Sequence, residues 1–178
     1  FKVSVLKARL YKGPDYRKKT KKFLPYESRL KVTLKKGKFA KLNKYWIKIS
    51  DIKKIQFKNK NIFKDVMFFK NIKYLWGGKS FQGIDCSALV QIFFNYNNKF
   101  CPRDSKDQEK YFKKKVKLKN IKKNDIIFWK GHVAIALSRY KLIHAYGPMK
   151  KVVIMNIKYT IERIKRTANL DITSIRRF

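Results

Sequence analysis

The run Gly83-Ile84-Asp85-Cys86-Ser87-Ala88-Leu89-Val90-Gln91-Ile92-Phe93-Phe94 narrows the possible folds of this chain more than any other. Counted from Cys86, the apolar residues Leu89, Val90, Phe93 and Phe94 recur at helical spacing, so the segment reads as a helix with one face in a core. Asp85 is a good N-cap, which puts Cys86 in the first turn. There a sulfur meets unpaired backbone N–H groups and the positive end of the helix dipole, both of which favour the nucleophilic thiolate. Upstream, Tyr74-Leu75-Trp76-Gly77-Gly78 carries two glycines that break regular structure and permit a tight path. The plain alternative for Cys86 is a small buried apolar residue.

The chain has two histidines, and their placement gives the cysteine a possible base. His132 follows Gly131 and opens the run Val133-Ala134-Ile135-Ala136-Leu137. His144 lies in the next apolar run, and Ser138-Arg139-Tyr140 can turn the chain between them. A separation of twelve is even, so both rings can share one face of a hairpin at about the same height. With the Cys86 helix opposite, the row would be thiol, imidazole, imidazole. His132 would take the thiol proton and return it to a leaving amine, and His144 would hold the His132 ring in its tautomer. A zinc site is possible by residue count, but the spacing matches no close ligand pair such as CxxC or HxxxH, and neither metal nor cofactor is expected.

The rest of the chain supplies a framework. Residues 1–56 read as a small domain of short strands, at 3–6, 30–34, 38–42 and 45–49, with turns at Gly13-Pro14-Asp15, Lys36-Gly37 and Leu42-Asn43-Lys44. That pattern suggests an SH3-like β-barrel. The lysine-rich stretch Lys53 to Lys60 marks the boundary, and residues 57–178 form the second domain. Within it, Ile62, Val66 and Phe69 suggest a helix, and Ser105 with Gln108 suggests a capping box opening another. Strands follow at 125–129, 132–137, 141–145 and 152–155, then a helix at 160–166 and a last strand at 172–177. The fold class is α+β, helices first and an antiparallel set of strands after them.

Charge and cysteine content limit the partners. Forty-seven Lys and Arg against eleven Asp and Glu give a net charge of +36, a field that attracts polyanions. The lysines are spread over nearly every surface stretch and form no single stripe, so no specific nucleic-acid partner is expected. Cys86 and Cys101 form no disulfide framework and are expected to be reduced. No window reaches the roughly 18–20 apolar residues of a membrane span. Phe1 to Lys7 has lysines among its apolar residues and does not read as a signal peptide.

Taken together, Tyr74-Leu75-Trp76-Gly77-Gly78, Gly83-Ile84-Asp85-Cys86-Ser87, Pro102-Arg103-Asp104-Ser105, Asn124-Asp125-Ile126-Ile127-Phe128-Trp129, Gly131-His132-Val133 and Leu142-Ile143-His144-Ala145 resemble the NlpC/P60 family of papain-like cysteine peptidases. They stand in family order over roughly residues 60–150. The resemblance implies Cys86 as nucleophile, His132 as base and His144 as the third polar residue. It places Tyr74 by the oxyanion and Asp85 and Ser87 at the substrate's amine end. Trp76 is read as core packing. The two-domain order is similar to bacterial enzymes that cut γ-D-glutamyl–diamino-acid bonds in murein peptides. It implies a thiol protease in cell-wall turnover or recycling, whose first domain restricts it to peptides with a free N-terminal L-alanine; a monomer is expected, and the cytoplasm is favoured over the periplasm, with recycling in the one and wall remodelling in the other both open. Ala88 and Lys73 stand where the family usually has Gly and Pro. A catalytically weak binder of anionic polymer, motivated by the charge, and an acyl or amide transferase on the same fold are the other readings.

Overall fold

A computed structural model describes residues 1–178. The chain divides into two compact units, one of Phe1–Asn59 with Tyr96–Asn98, the other of Lys60–Asn95 with Lys99–Phe178.

The first unit contains strands β1 (Lys2–Val3), β2 (Lys7–Tyr11), β3 (Lys19–Pro25), β4 (Leu34–Lys36), β5 (Phe39–Lys41), β6 (Trp46–Lys48) and β7 (Ile52–Lys53). Five of them form an antiparallel sheet in the order β3-β2-β6-β5-β4, and β1 pairs with β7. Val3, Ala8, Leu10, Ala40, Ile47 and Ile52 make its core. The strands expected at 38–42 and 45–49 are present, shortened to β5 and β6. The run 30–34 contributes only Leu34, and residues 3–6 only Val3. The two longest strands, β2 and β3, carry no clean alternation. No residue of β3 is fully buried, so its pairing is fixed by the ladder to β2 rather than by an apolar face.

The second unit has the short pair β8 (Lys79–Ser80) and β9 (Gly83–Ile84), then α1 (Cys86–Tyr96), α2 (Ser105–Tyr111) and β10 (Lys114–Lys115). β11 (Ile126–Trp129), β12 (His132–Ala136), β13 (Lys141–Tyr146), β14 (Lys151–Asn156), α3 (Ile157–Ala168) and β15 (Ile172–Arg177) complete it. The six-stranded sheet has the order β10-β15-β11-β12-β13-β14. Ile127, Trp129, Ala134, Ala136, Leu142, Val153 and Ile175 meet Ile157 and Ile164 of α3 in one core cluster. The alternate residues Ile126, Phe128, Val133, Ile135 and Ile143 are also fully buried, so the sheet is covered on both faces. Burial on both faces is why these strands read as near-continuous apolar runs.

Two helix expectations need correction. Ile62 to Phe69 is not a helix; only Val66–Phe69 forms a 3-10 turn, although Ile62, Phe63, Val66 and Phe69 are all buried. The Ser105 capping box does not form either. Asp104 holds the N-cap position, and the Gln108 amide turns inward to donate to the carbonyls of Ser87 and Pro102, both at 2.9 Å. Gln108 therefore ties α2 to the first turn of α1.

Candidate active site

Asp85 caps α1 as expected. Its carbonyl accepts from Leu89 N–H, and its Oδ1 accepts from Ala88 N–H at 2.8 Å. Its Oδ2 also takes the Gly77 N–H at 2.9 Å, fixing the Gly77-Gly78 turn against the helix start. Gly78 approaches too closely for any side chain, since a Cβ there would lie 2.6 Å from the Gly83 carbonyl oxygen. Both carboxylate oxygens further accept from Arg103, whose Nη1 also donates to Ser87 Oγ at 2.8 Å. The ion pair raises the Arg103 guanidinium above its ordinary value. Asp85 and Ser87, which resemblance assigned to the substrate's amine end, are thus held by an arginine that was quoted in a motif but given no role.

Cys86 is 8% exposed at the start of α1. N–H groups of Val133, Ser87 and Cys86 itself favour its thiolate, as a helix N-terminus should. Burial outweighs them, and the Asp85 charge adds to it, so the thiol is pushed up to about 11. The lowered thiol pKa expected from helix position alone is therefore corrected: the lone sulfur stays protonated at neutral pH. Cys101 is also unbridged and buried, and burial pushes its thiol up to about 12.

The amide that faces the Cys86 sulfur belongs to Val133, the residue after His132. His132 opens β12 after a two-residue loop, Lys130-Gly131, with Gly131 at a φ of 74° in the region that favours glycine. The β12–β13 register pairs Ile135 with Ile143 and Ala136 with Leu142. Continued, it sets Tyr146 across from His132 and His144 across from Ala134. The rings share a face, as expected, but sit one two-residue step apart and meet diagonally, His132 Nε2 to His144 Nδ1 at 2.9 Å. Tyr146 stacks on His144 with centroids 4.6 Å apart.

The far nitrogen of His144, Nε2, lies 3.2 Å from Met155 Sδ in β14. A thioether can only accept, so the His144 proton belongs on Nε2. His144 Nδ1 is then the acceptor and His132 Nε2 the donor, which leaves His132 Nδ1 bare. Burial pushes His132 down to about 4, and His144 falls well below its ordinary value through burial and then the neighbouring imidazole. Both rings are therefore neutral at pH 7. Nothing in the sequence pattern had pointed to Met155.

Two cavities flank this row. One, of about 320 Å³, is lined by Trp76, Asp85, Cys86, Ser87, Arg103 and Gly131 among others. The other, of about 360 Å³, is lined by Tyr74, Lys130, Gly131, His132, Tyr146 and Arg163 among others. Trp76 is 82% exposed and borders the cysteine-side cavity, which corrects its reading as core packing. Tyr74 borders the histidine side. Burial, then the charges of Cys86 and Asp85, raise its hydroxyl, so it keeps its proton as a donor. No three His, Cys, Asp or Glu side chains are grouped to hold a metal ion. A neutral thiol, a bare imidazole nitrogen and a held second ring are the groups that proton transfer from a sulfur nucleophile requires.

A family model described as NlpC/P60 family matches residues 71–168, which is 98 of the 178 residues. Dipeptidyl-peptidase 6 of Lysinibacillus sphaericus is 33% identical over 85 residues, covering 48% of this chain and 31% of that protein. The γ-D-glutamyl-L-lysine dipeptidyl-peptidase of Bacillus subtilis strain 168 is 35% identical over 102 residues, covering 53% of this chain and 34% of that protein. The chain thus spans about a third of the length of these curated relatives. Among solved structures, an NlpC/P60 family protein from Bacillus cereus ATCC 10987 is similar in fold over 99% of this chain and 62% of its own, with a TM-score of 0.79 at 23% identity. The peptidoglycan hydrolase RipB of Mycobacterium tuberculosis matches 65% of this chain and 62% of its own, with a TM-score of 0.52 at 24% identity.

Proposed function

The chain belongs to the NlpC/P60 family, and from that premise we propose that it is a cysteine peptidase that hydrolyses γ-D-glutamyl–diamino-acid bonds in murein-derived peptides. The relatives named as dipeptidyl-peptidases support the substrate class. The observation that carries the mechanism is the hydrogen-bonded pair His132 Nε2 to His144 Nδ1, with the Cys86 sulfur at the amide of the next residue, Val133.

His132 commits Nε2 to His144, so Nδ1 is the position that takes the thiol proton. Cys86 and His132 each resist ionising alone, since burial penalises either charge. Transfer of the proton from sulfur to Nδ1 creates both charges side by side, where their attraction offsets the lost solvation. The sulfur then attacks the scissile carbonyl. Tyr74 O–H and the Cys86 N–H are the oxyanion donors in this reading, each worth roughly 3–4 kcal/mol in the transition state. The imidazolium returns its proton to the leaving amine, and water hydrolyses the thioester through the same base. Neutral His144 accepts from His132 throughout and stabilises the imidazolium without bringing a negative charge.

The first unit we read as a small SH3-like module, and the physiological role as turnover or recycling of murein peptides in the cytoplasm. The test uses L-Ala-γ-D-Glu-diamino-acid peptides with mass-spectrometric detection of products. Wild-type protein should release L-Ala-D-Glu, and Cys86→Ala should not while keeping its fold by circular dichroism. Unchanged turnover in that variant refutes the assignment. Peptides with and without a free N-terminal alanine separate a dipeptidyl-peptidase from a general endopeptidase.

A further inference from the structure

The cavity on the His132 side is basic. Lys130 and Arg163 line it, and no Asp or Glu does. Arg163 is anchored rather than waving. It lies one turn after Tyr159 on α3, and its Nη1 donates to the Tyr159 hydroxyl at 3.1 Å. The Tyr146 hydroxyl is a second partner that favours the charged guanidinium. Both partners are hydroxyl groups, and neither is a carboxylate. The Arg163 Nε is buried and has no hydrogen-bond partner in the protein. The Nη groups are therefore the part of the guanidinium that an incoming acceptor can reach. Tyr146 also stacks on His144, so the guanidinium is referenced to the same group that sets the imidazoles.

Gly131 borders both cavities, Cys86 lines only the first and His132 the second. The acyl part of a substrate stays with the sulfur, and the amine part leaves from the side of the proton donor. On the peptidase reading, then, the basic cavity receives the amino acid that departs. We infer that Arg163 and Lys130 form a carboxylate subsite that selects a leaving diamino acid with a second, side-chain carboxylate, such as meso-diaminopimelate, over L-lysine, whose side chain ends in an ammonium alone. The side-chain carboxylate of diaminopimelate would meet two cations beside its own ammonium, whereas the lysine side chain brings only an ammonium, which meets two like charges.

The test compares L-Ala-γ-D-Glu-meso-diaminopimelate with L-Ala-γ-D-Glu-L-Lys. Wild-type kcat/KM should favour the first by about tenfold or more, the span expected for one charge-assisted contact. In Arg163→Gln the ratio should fall to about threefold or less, mainly through KM of the diaminopimelate peptide. Lys158→Gln removes the same charge without lining this cavity and should leave the ratio as it was. Equal turnover of the two peptides by wild-type protein overturns the subsite. So does an equal fall of the ratio in Lys158→Gln, which would assign the preference to the general positive field. A second readout needs no catalysis: NMR titration of the Cys86→Ala protein with free meso-diaminopimelate and with L-lysine. Selective binding of the first, lost in Arg163→Gln, without turnover of either peptide would retain the subsite and remove the peptidase reading. Turnover without selectivity in either assay would do the reverse.

Discussion

Met155 Sδ lies 3.2 Å from His144 Nε2, at the end of a row that runs through His144 Nδ1 to His132 Nε2. A sulfur that can only accept decides which nitrogen of His144 carries hydrogen, and through it which nitrogen of His132 stays bare. Replacing Met155 with Leu keeps the volume and deletes the acceptor. We expect kcat to fall by about tenfold, as for other groups that orient a reactive imidazole, with KM little changed. The thermal midpoint should barely move, because such swaps cost under about 1.5 kcal/mol. Met155→Gln, which restores an acceptor, should recover part of the rate. A leucine variant with wild-type kcat would show that the tautomer is set elsewhere.

Cys86 alkylation reads the coupling between sulfur and imidazole. With His132 present, iodoacetamide should react at a rate that is nearly flat around neutral pH, because the proton moves within the pair. In His132→Ala the thiol stands alone with its pKa near 11, so the rate should drop at pH 7 and then climb about tenfold per pH unit as thiolate forms. Cys101, pushed to about 12, should lag behind Cys86 in the wild-type protein. Identical pH profiles for wild type and His132→Ala would dissolve the proposed pair.

Arg103→Ala should destabilise the second unit by about 1–3 kcal/mol. It leaves the Asp85 carboxylate and Ser87 hydroxyl without their shared cation, at the first turn that carries the sulfur. The value is set below that of a fully buried pair because the arginine is itself partly exposed. Urea midpoints of Arg103→Ala and Asp85→Asn, alone and combined, check it. Additive losses would mean that the two groups do not act as one unit.

The half-buried His132 and buried His144 also make stability depend on pH. Their folded values lie below the ordinary 6.5, so between pH 6.5 and about 4 the unfolded chain binds protons that the folded one excludes at His132. Stability is therefore full above 6.5 and declines as pH falls through that window. A His132→Gln, His144→Gln double variant should flatten the decline measured by denaturant titration at several pH values. An unchanged slope would place the proton uptake on other groups.

The capped helix start at Cys86 and the His132–His144 pair were largely legible in advance, and much of the surrounding structure was not. Burial on both faces writes itself into β11 to β14 as apolar runs, and α1 shows its stripe, because those segments meet the core through their own side chains. β3 was invisible for the opposite reason: it is held by a ladder to β2, and Leu24 alone of its residues packs on the core, so no apolar alternation marks it. Ile62 to Phe69 misled because buried residues at helical spacing do not require an α-helix when successive turns bond their backbone three residues apart, as Val66 N–H to the Phe63 carbonyl and Phe68 N–H to that of Asp65 do here.

Residue order by itself determined that a capped helix begins at Cys86 and that two even-spaced histidines share a face of one hairpin. Those are facts of local periodicity and capping, readable in a few neighbouring residues. Only the folded chain decided the rest. It set Met155 behind His144, Arg103 across Asp85 and Ser87, Arg163 beside His132, and the thiol in surroundings dry enough to raise its pKa. Each depends on segments distant in sequence, whose meeting is set by packing and by the solvent that packing removes.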